Sequence, residues 1–481
     1  MLSYEELKGA AGREIWYRAP RHDVRTLFPL SPPRVQVRSE LHQLRNISVG
    51  GLAVSCRTSA EALPDVGETL DLTIRQAGLP IFESQARVLR REDSVFGATL
   101  AFQFVNAYVE FEKLLARNAQ AQIAANTQNA DPATSLVKRE YRMFCADVLA
   151  TLRSYRALFD SNAAIARKSG CDFDEASCYD VCETRLLQQW RGLWLTGNQL
   201  LREVIDQRDL LQATKDYTEL VLTPELRRGA VWERAYAKPL GYPGDFEVMN
   251  YVYAWQRVGE DSYAKLIHRL GIECAACVTT RMHVVRRHMA DMIENRIGRP
   301  SRVLSLGCGP AREVELFLAE RPNLGAGAQF TLIDQEDLAL KQAYEKTYPH
   351  VQRAGGKAQV HCLNVSFTEI LRAGGEIDRL PPQDVIYSVG LLDYLSDRRA
   401  LSLVRRLYEL LAPGGLLMIG NMNETSFSTV WPMECLTDWT LHYRTEPQML
   451  AWTRGMNVAM AWTETEETGH VRLLFIRKPP L

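Results

Sequence analysis

Arg302-Val303-Leu304-Ser305-Leu306-Gly307-Cys308-Gly309-Pro310-Ala311-Arg312-Glu313-Val314 joins a short apolar run, a Gly-x-Gly turn and the start of a helical pattern. That order predicts a strand, a tight turn and a helix N-terminus. Glycines let a backbone approach a ligand closely, and the first helical N–H groups lack intrahelical partners. About 25 residues on, Phe330-Thr331-Leu332-Ile333-Asp334 is a second apolar strand ending in an acid, the spacing of a ribose-binding carboxylate in a β-α-β nucleotide unit. A nucleoside-cofactor site is expected around Gly307, Gly309 and Asp334.

The β-α rhythm continues from there. Gln359–Leu363 is a strand running into Asn364-Val365, and Asp384–Ser388 is a fourth, followed by Val389-Gly390-Leu391-Leu392-Asp393-Tyr394-Leu395. Leu416–Gly420 is a fifth, after the turn Ala412-Pro413-Gly414-Gly415, and Val458–Trp462 with Val471–Ile476 suit a closing antiparallel pair. Strands alternating with helices imply a Rossmann-like α/β sheet covered on both faces, with its ligand at the strand C-terminal ends.

The glycine turn, the acid after the second strand, the polar residue after the third and Pro-Gly-Gly before the fifth together resemble the class I S-adenosylmethionine methyltransferases. The resemblance implies that Gly307 and Gly309 shape the cofactor turn, that Asp334 holds the ribose hydroxyls and that Asn364 and Val365 flank the adenine. Ser305, Pro310 and Ser388 complete the implied cofactor-binding set. Ser305 stands where many members have an acid, and Ala311 replaces a third glycine.

Five strings carry a narrower likeness: Lys238-Pro-Leu-Gly-Tyr-Pro-Gly-Asp-Phe-Glu247, Leu306-Gly-Cys-Gly-Pro-Ala-Arg-Glu-Val314, Gly390-Leu-Leu-Asp-Tyr-Leu395, Ile419-Gly-Asn421 and Asp438-Trp-Thr-Leu-His-Tyr-Arg444. They resemble a bacterial group described as 3-hydroxypalmitic acid methyl ester biosynthesis proteins. This likeness runs over most of residues 135–481.

Residues 1 to 115 read differently. Leu70, Leu72 and Ile74 alternate with polar residues, Phe96–Phe104 is β-favouring, and Gly or Pro marks the joins, so a small antiparallel β-barrel is expected, with Val105–Leu115 as a closing helix. Arg21 and Arg25 stand four apart in an irregular stretch, and Asn46-Ile47-Ser48-Val49-Gly50-Gly51 precedes the strand Leu52–Cys56. Paired guanidinium groups can bridge phosphates, stack on purines and reach guanine acceptor edges. The combination Arg-x-x-x-Arg with Asn-x-Ser-x-x-Gly resembles the PilZ family of cyclic-di-GMP receptors. By that likeness Arg21, Arg25, Asn46, Ser48 and Gly51 bind cyclic-di-GMP as a regulatory ligand.

Residues 116–134, rich in Ala, Gln and Asn, are either a linker or an extended helical connector. Residues 135–298 form a helical cap region. Val137, Tyr141, Phe144, Val148 and Leu152 recur at helical spacing, as do Leu186, Trp190, Leu193 and Leu200. Two Pro and two Gly in 238–247 make a constrained loop, a corner or a lid. Arg281, Arg286 and Arg287 sit on a helix leading into the cofactor domain at 299–481, where a solvated helical face is the commoner reading and pairing of one of them with an acidic substrate the alternative.

Composition narrows the classes. The 481 residues are 46% hydrophobic and 24% charged, ordinary for a multidomain globular protein. A net charge of −1 argues against a broad nucleic-acid surface. No apolar run reaches the roughly 20 residues of a membrane span. Met1-Leu2-Ser3-Tyr4-Glu5-Glu6 lacks signal-peptide regions, and the ten cysteines show no disulfide framework, so a cytoplasmic protein with reduced thiols is expected. Cys274 and Cys277 form the only Cys-x-x-Cys, without the second pair or histidine spacing of a metal site.

A sulfonium methyl is already activated, so the protein mainly aligns a nucleophile and excludes water. A carboxylate acceptor needs no base near neutral pH, whereas a hydroxyl or amine does. Tyr242, Asp245, Asp393 and Tyr394 are the candidate catalytic groups. The expected function is a cyclic-di-GMP-responsive methyltransferase acting on a small acid such as a hydroxy fatty acid. Two alternatives stay open: O- or N-methylation of another metabolite or peptide, and a catalytically silent signalling adaptor. The sequence does not give the oligomeric state.

Overall fold

The computed structural model describes residues 19–29, 31–56, 63–94, 97–130, 135–169, 174–372 and 374–480. Met1–Glu6, read above as lacking signal-peptide regions, the strand start at Phe96 and the connector residues 131–134 lie outside the described residues. Two compact units are present, one comprising the chain up to Glu92 with Ala98–Ala124, the other Ala125–Leu481 with Asp93–Gly97.

The first unit is an antiparallel barrel. Its strands are β1 (His22–Asp23), β2 (Arg34–Val37), β3 (Glu40–Ser48), β4 (Gly51–Cys56), β5 (Thr69–Gln76), β6 (Leu79–Ser94) and β7 (Gly97–Phe104). The order β3-β2-β5-β6-β7-β4 closes through β3–β4 pairing, and β1 adds to β3. Closure leaves few free edges, and period-two alternation sends Ile47, Leu52, Leu72, Ile74, Leu100 and Phe102 inward to a common core. Burying each such side chain contributes about 1.5–3 kcal/mol.

Two local expectations need correction. Arg25 lies not in irregular chain but in the single helical turn α1 (Val24–Leu27), capped by Asp23 Oδ1, which accepts from Arg25 N at 2.9 Å. The helix expected from Val105 starts later, as α2 (Phe111–Ala130). Residues 105–110 cannot be helical because Val105 N donates to Gln85 O and Val109 N to Val49 O, which fastens that stretch to the barrel. From Asn118 to Ala130 the connector is helix, as its good helix formers favour.

The second unit opens with helices α3 (Arg139–Ser169), α4 (Glu175–Arg202), α5 (Arg208–Val221), α6 (Thr223–Leu226), α7 (Ala230–Ala237), α8 (Phe246–Ala254), α9 (Ser262–Cys274) and α10 (Cys277–Glu294). The aromatic stripes meet in one core around Trp190, Trp194 and Trp431. Trp431 comes from the far end of the chain, in a π-helical turn Trp431–Leu436. Asn198 fixes it there, accepting from Trp431 N at 2.9 Å and donating to Ser428 O at 2.7 Å. The helical region and the C-terminal residues therefore share one core.

The sheet that follows comprises β8 (Ser301–Leu306), β9 (Ala328–Asp334), β10 (Ala358–Asn364), β11 (Gln383–Ser388), β12 (Leu411–Met422), β13 (Met460–Thr465) and β14 (Val471–Arg477). Its order is β10-β9-β8-β11-β12-β14-β13; β8 to β12 pair in parallel, and β14 pairs antiparallel with β12 and β13. Leu304, Leu306, Ile333 and Ile386 feed the core on one face, while Val303, Phe330, Leu332 and Val385 feed the other. Helices α11 (Arg312–Glu320), α12 (Asp337–Arg353), α13 (Phe367–Ile370), α14 (Asp397–Glu409) and α15 (Glu446–Leu450) complete this part. Strand order reverses at β8, and a crevice opens at the strand C-termini there.

Candidate active site and nucleotide site

The turn after β8 bends over the end of β9. Gly307 N and Cys308 N both donate to Ile333 O, at 2.8 and 3.1 Å. Gly307 has φ +65° and Gly309 +51°, conformations that cost an L side chain strain. Ala311, at the expected third-glycine position, takes φ +49° and caps α11 in that strained state. Gly309 N donates to Asp334 Oδ2 at 2.8 Å and Glu336 N to Oδ1 at 3.0 Å, so the acid and the turn are one assembly. Burial pushes the Asp334 carboxyl up, and these backbone N–H groups pull it back down.

Gly307, Gly309 and Asp334 line a cavity with Val365 and Leu391. The helical region and the segment after β12 line it as well, with Phe246, Met249, Met282, Met433, Trp439 and Leu441, and Met249 packs against the turn, its Sδ 3.0 Å from where a Cβ at Gly309 would stand. Of the candidate catalytic groups, Tyr242, Asp393 and Tyr394 line it, and so does Ser305. Tyr242 is buried, which pushes its phenol far up. Tyr394 accepts from Trp439 Nε1 at 3.0 Å.

Asp393 is 3% exposed; burial raises its carboxyl to about 6, against the opposing pull of Arg281, the Met422 N–H and Arg444. Its Oδ1 accepts from Met422 N, and its backbone carbonyl accepts from His442 N at 2.7 Å. That side chain thus faces the cavity and also stitches β12 to the chain after β11.

Four sequence candidates do not line the cavity among the described residues. Asp245 caps α8, accepting from Glu247 N and Val248 N at 3.1 Å, and pairs with Arg234 Nε at 2.8 Å. A carboxylate so committed is a positioning group for the loop. Asn364 is turned onto the chain after β9, donating to Asp334 O and Gln335 O. Pro310 shapes the turn, and Ser388 is fully buried under it with an unpartnered hydroxyl.

The loop 238–247 is a wall of the cavity through Tyr242 and Gly244. A Cβ at Gly244 would lie 2.3 Å from the Trp439 ring, and Lys238 Nζ donates to Asp438 O at 2.8 Å. Two groups were not assigned from the sequence. Glu313, in the first turn of α11, is buried, lines the cavity and accepts from Tyr387 Oη at 2.7 Å. Arg281, one of three arginines left undecided, also lines it. The first had a signal, its place in the turn of helix after the glycines; only the fold could select the second.

In the barrel, β1 pairs with β3 so that Asp23 faces Asn46 and His22 faces Ile47. This brings Arg21 alongside, and its Nη1 donates to Asn46 Oδ1 at 3.0 Å. Ser48 Oγ donates to Gly51 O at 3.2 Å across the β3–β4 turn. Gly51 has no room for a side chain, since a Cβ would lie 2.2 Å from Phe102 O. The two halves of the motif, apart in sequence, are adjacent.

Residues 304–417 match the family model described as a methyltransferase domain, and residues 18–120 match the PilZ domain. No curated protein matches the chain. Among solved structures, a possible exported protein from Bordetella parapertussis is similar at 18% identity and TM-score 0.42, over 60% of this chain and 97% of that one. The N-methyltransferase NodS from Bradyrhizobium japonicum WM9, in complex with S-adenosyl-L-homocysteine, is similar at 17% identity and TM-score 0.28, over 41% of this chain and 88% of that one. Magnesium protoporphyrin IX methyltransferase from Synechocystis PCC 6803 is similar at 13% identity and TM-score 0.35, over 51% and 97%.

Proposed function

We propose that this chain, an S-adenosylmethionine-dependent methyltransferase, methylates a small acid with an apolar body, such as a hydroxy fatty acid, and that cyclic-di-GMP bound at its barrel regulates it. The observation that carries the acceptor class is that one cavity is lined both by the glycine turn with Asp334 and by Met282, Met433 and Leu441. An apolar wall beside a nucleoside crevice suits an apolar acceptor.

The residues fit the cofactor. A Cβ at Gly307 would meet only Leu391 at 3.7 Å, so the turn leaves open space above it. Asp334 is met by backbone N–H groups and by no cation among the described residues, which leaves lone pairs for ribose hydroxyls. Glu313 supplies the acid that Ser305 does not, available to an ammonium group. When bound, the cofactor provides a methyl group activated on a sulfonium. Tyr242, Tyr394 and Trp439 wall off water on the acceptor side. A carboxylate acceptor is ionised near neutral pH, so none of Tyr242, Asp393 or Tyr394 would have to take a proton from it.

Arg21, Arg25, Asn46, Ser48 and Gly51 are the proposed cyclic-di-GMP contacts, and a cytoplasmic setting, where that messenger is made, goes with this function. No described helix is long and apolar enough to cross a membrane. The nucleotide regulates only through unequal affinity for two states of the protein. The test is incubation of the protein with methyl-labelled cofactor and bacterial lipid extract, with and without cyclic-di-GMP. Label in a fatty acid methyl ester, at a rate the nucleotide changes, is expected; label confined to amines or peptides defeats the acceptor assignment.

A further inference from the structure

Arg281 lies on α10 and is the only cationic side chain lining the cavity among the described residues. It is 8% exposed, yet its guanidinium makes no hydrogen bond or ion pair with any described residue. Its helix neighbours behave otherwise: Arg286 pairs with Glu320, and Arg287 pairs with Glu464 at the surface. Arg444, more deeply buried, spends its donors on Asp397, Leu392 O, Asn421 and Leu395 O. A guanidinium carries five N–H donors, and those of Arg281 open onto the cavity without an acceptor among the described residues.

The nearby acids do not close on it. Glu313 is held by the Tyr387 hydroxyl and Asp393 by the Met422 N–H. Glycine at 390 gives the guanidinium its place, since a Cβ there would lie 2.9 Å from Arg281 Nη2. The guanidinium fork feels the charges of Glu313 and Asp393 without bonding to either, and its donors are left for a planar anion entering the cavity.

We infer that Arg281 holds the carboxylate of a small molecule bound in this cavity. Two sources share that chemistry: the amino-acid end of the cofactor, whose ammonium Glu313 would face, and the acid group of the acceptor. The second rests on the acidic acceptor proposed above. It has a consequence, since an acceptor carboxylate that becomes an ester loses its charge and its hold on Arg281.

Calorimetry on the full chain separates the sources. The ligands are S-adenosylhomocysteine, methylthioadenosine (the same nucleoside without the amino-acid end), and, with the first at saturation, 3-hydroxyhexadecanoate and its primary amide. Arg281→Met is expected to leave methylthioadenosine unchanged and to weaken one carboxylate ligand about 10- to 100-fold. Loss confined to S-adenosylhomocysteine assigns the cofactor end; loss confined to the fatty acid, with the amide unaffected, assigns the acceptor. Arg281→Lys, which keeps the charge and loses the fork, should recover part of the affinity and guards against a misfolded Met variant. Unchanged affinity for both carboxylates in Arg281→Met overturns the assignment. If the natural protein ignores the fatty acid, the acidic-acceptor proposal fails, and Arg281 is judged on S-adenosylhomocysteine alone. If it binds no carboxylate ligand at all, both fall.

Discussion

Arg444 Nη1 donates to Asn421 Oδ1 at 2.6 Å, joining the end of β12 to a residue 23 positions later. The same guanidinium reaches Leu392 O and Leu395 O, so three of the short strings singled out in the sequence meet on one buried side chain. A fourth, 238–247, reaches this knot through Lys238 and Asp438.

Arg444→Met would strip these acceptors of their donor inside the protein. Stability should fall by about 3 kcal/mol or more, since each orphaned buried acceptor costs about 1–3 kcal/mol. Denaturant unfolding checks this; a midpoint within error of the natural protein's would show that the knot is dispensable.

Asp334→Asn keeps an acceptor for Gly309 N and removes the charge offered to ribose hydroxyls. Affinity for S-adenosylhomocysteine should drop about tenfold or more, as expected for losing charge-assisted hydrogen bonds worth about 1.5–3 kcal/mol each. Calorimetry reads it, and full affinity in a folded variant would move the ribose site elsewhere.

The double variant R21A/R25A should abolish cyclic-di-GMP binding while S-adenosylhomocysteine binds as before. Separately, Gly51→Ala should destabilise the barrel by about 1–3 kcal/mol, because its new Cβ would press on Phe102 O. Nucleotide titration and thermal unfolding test the two; retained nucleotide affinity in the double variant would dismiss the assigned receptor site.

Asp393 gives a pH signature. Its folded carboxyl sits near 6, above the ordinary value of 3.8, because burial disfavours the charge. The folded state therefore binds a proton more tightly than the unfolded one. This group's contribution to stability is full below the ordinary value and is lost as pH rises through about 6. Asp393→Asn should flatten that part of the stability profile. Parallel profiles for variant and natural protein between those two values would show that burial does not shift this acid.

Much of the fold was legible because it depends on short-range pattern. The strands of the C-terminal sheet followed from apolar runs, and the turn after β8 from its two glycines. Residues 105–110 were misread because their backbone groups bond to Gln85 and Val49, partners that no local propensity announces. Asp245 looked catalytic by its company in a constrained loop, and tertiary contacts turned it into a helix cap. Pro310, Asn364 and Ser388 likewise fit the motif in order and not the lining in space.

By itself the sequence determined which residues form strands and turns, because backbone strain and apolar periodicity are local. It also determined where an acid closes the second strand of a nucleotide unit. Only the tertiary structure decided which of three arginines stands unspent in the cavity. It likewise brought Glu313 to the place that Ser305 leaves without an acid. Both depend on the burial of one side chain against elements far away in the chain, and no spacing along the chain encodes that desolvation.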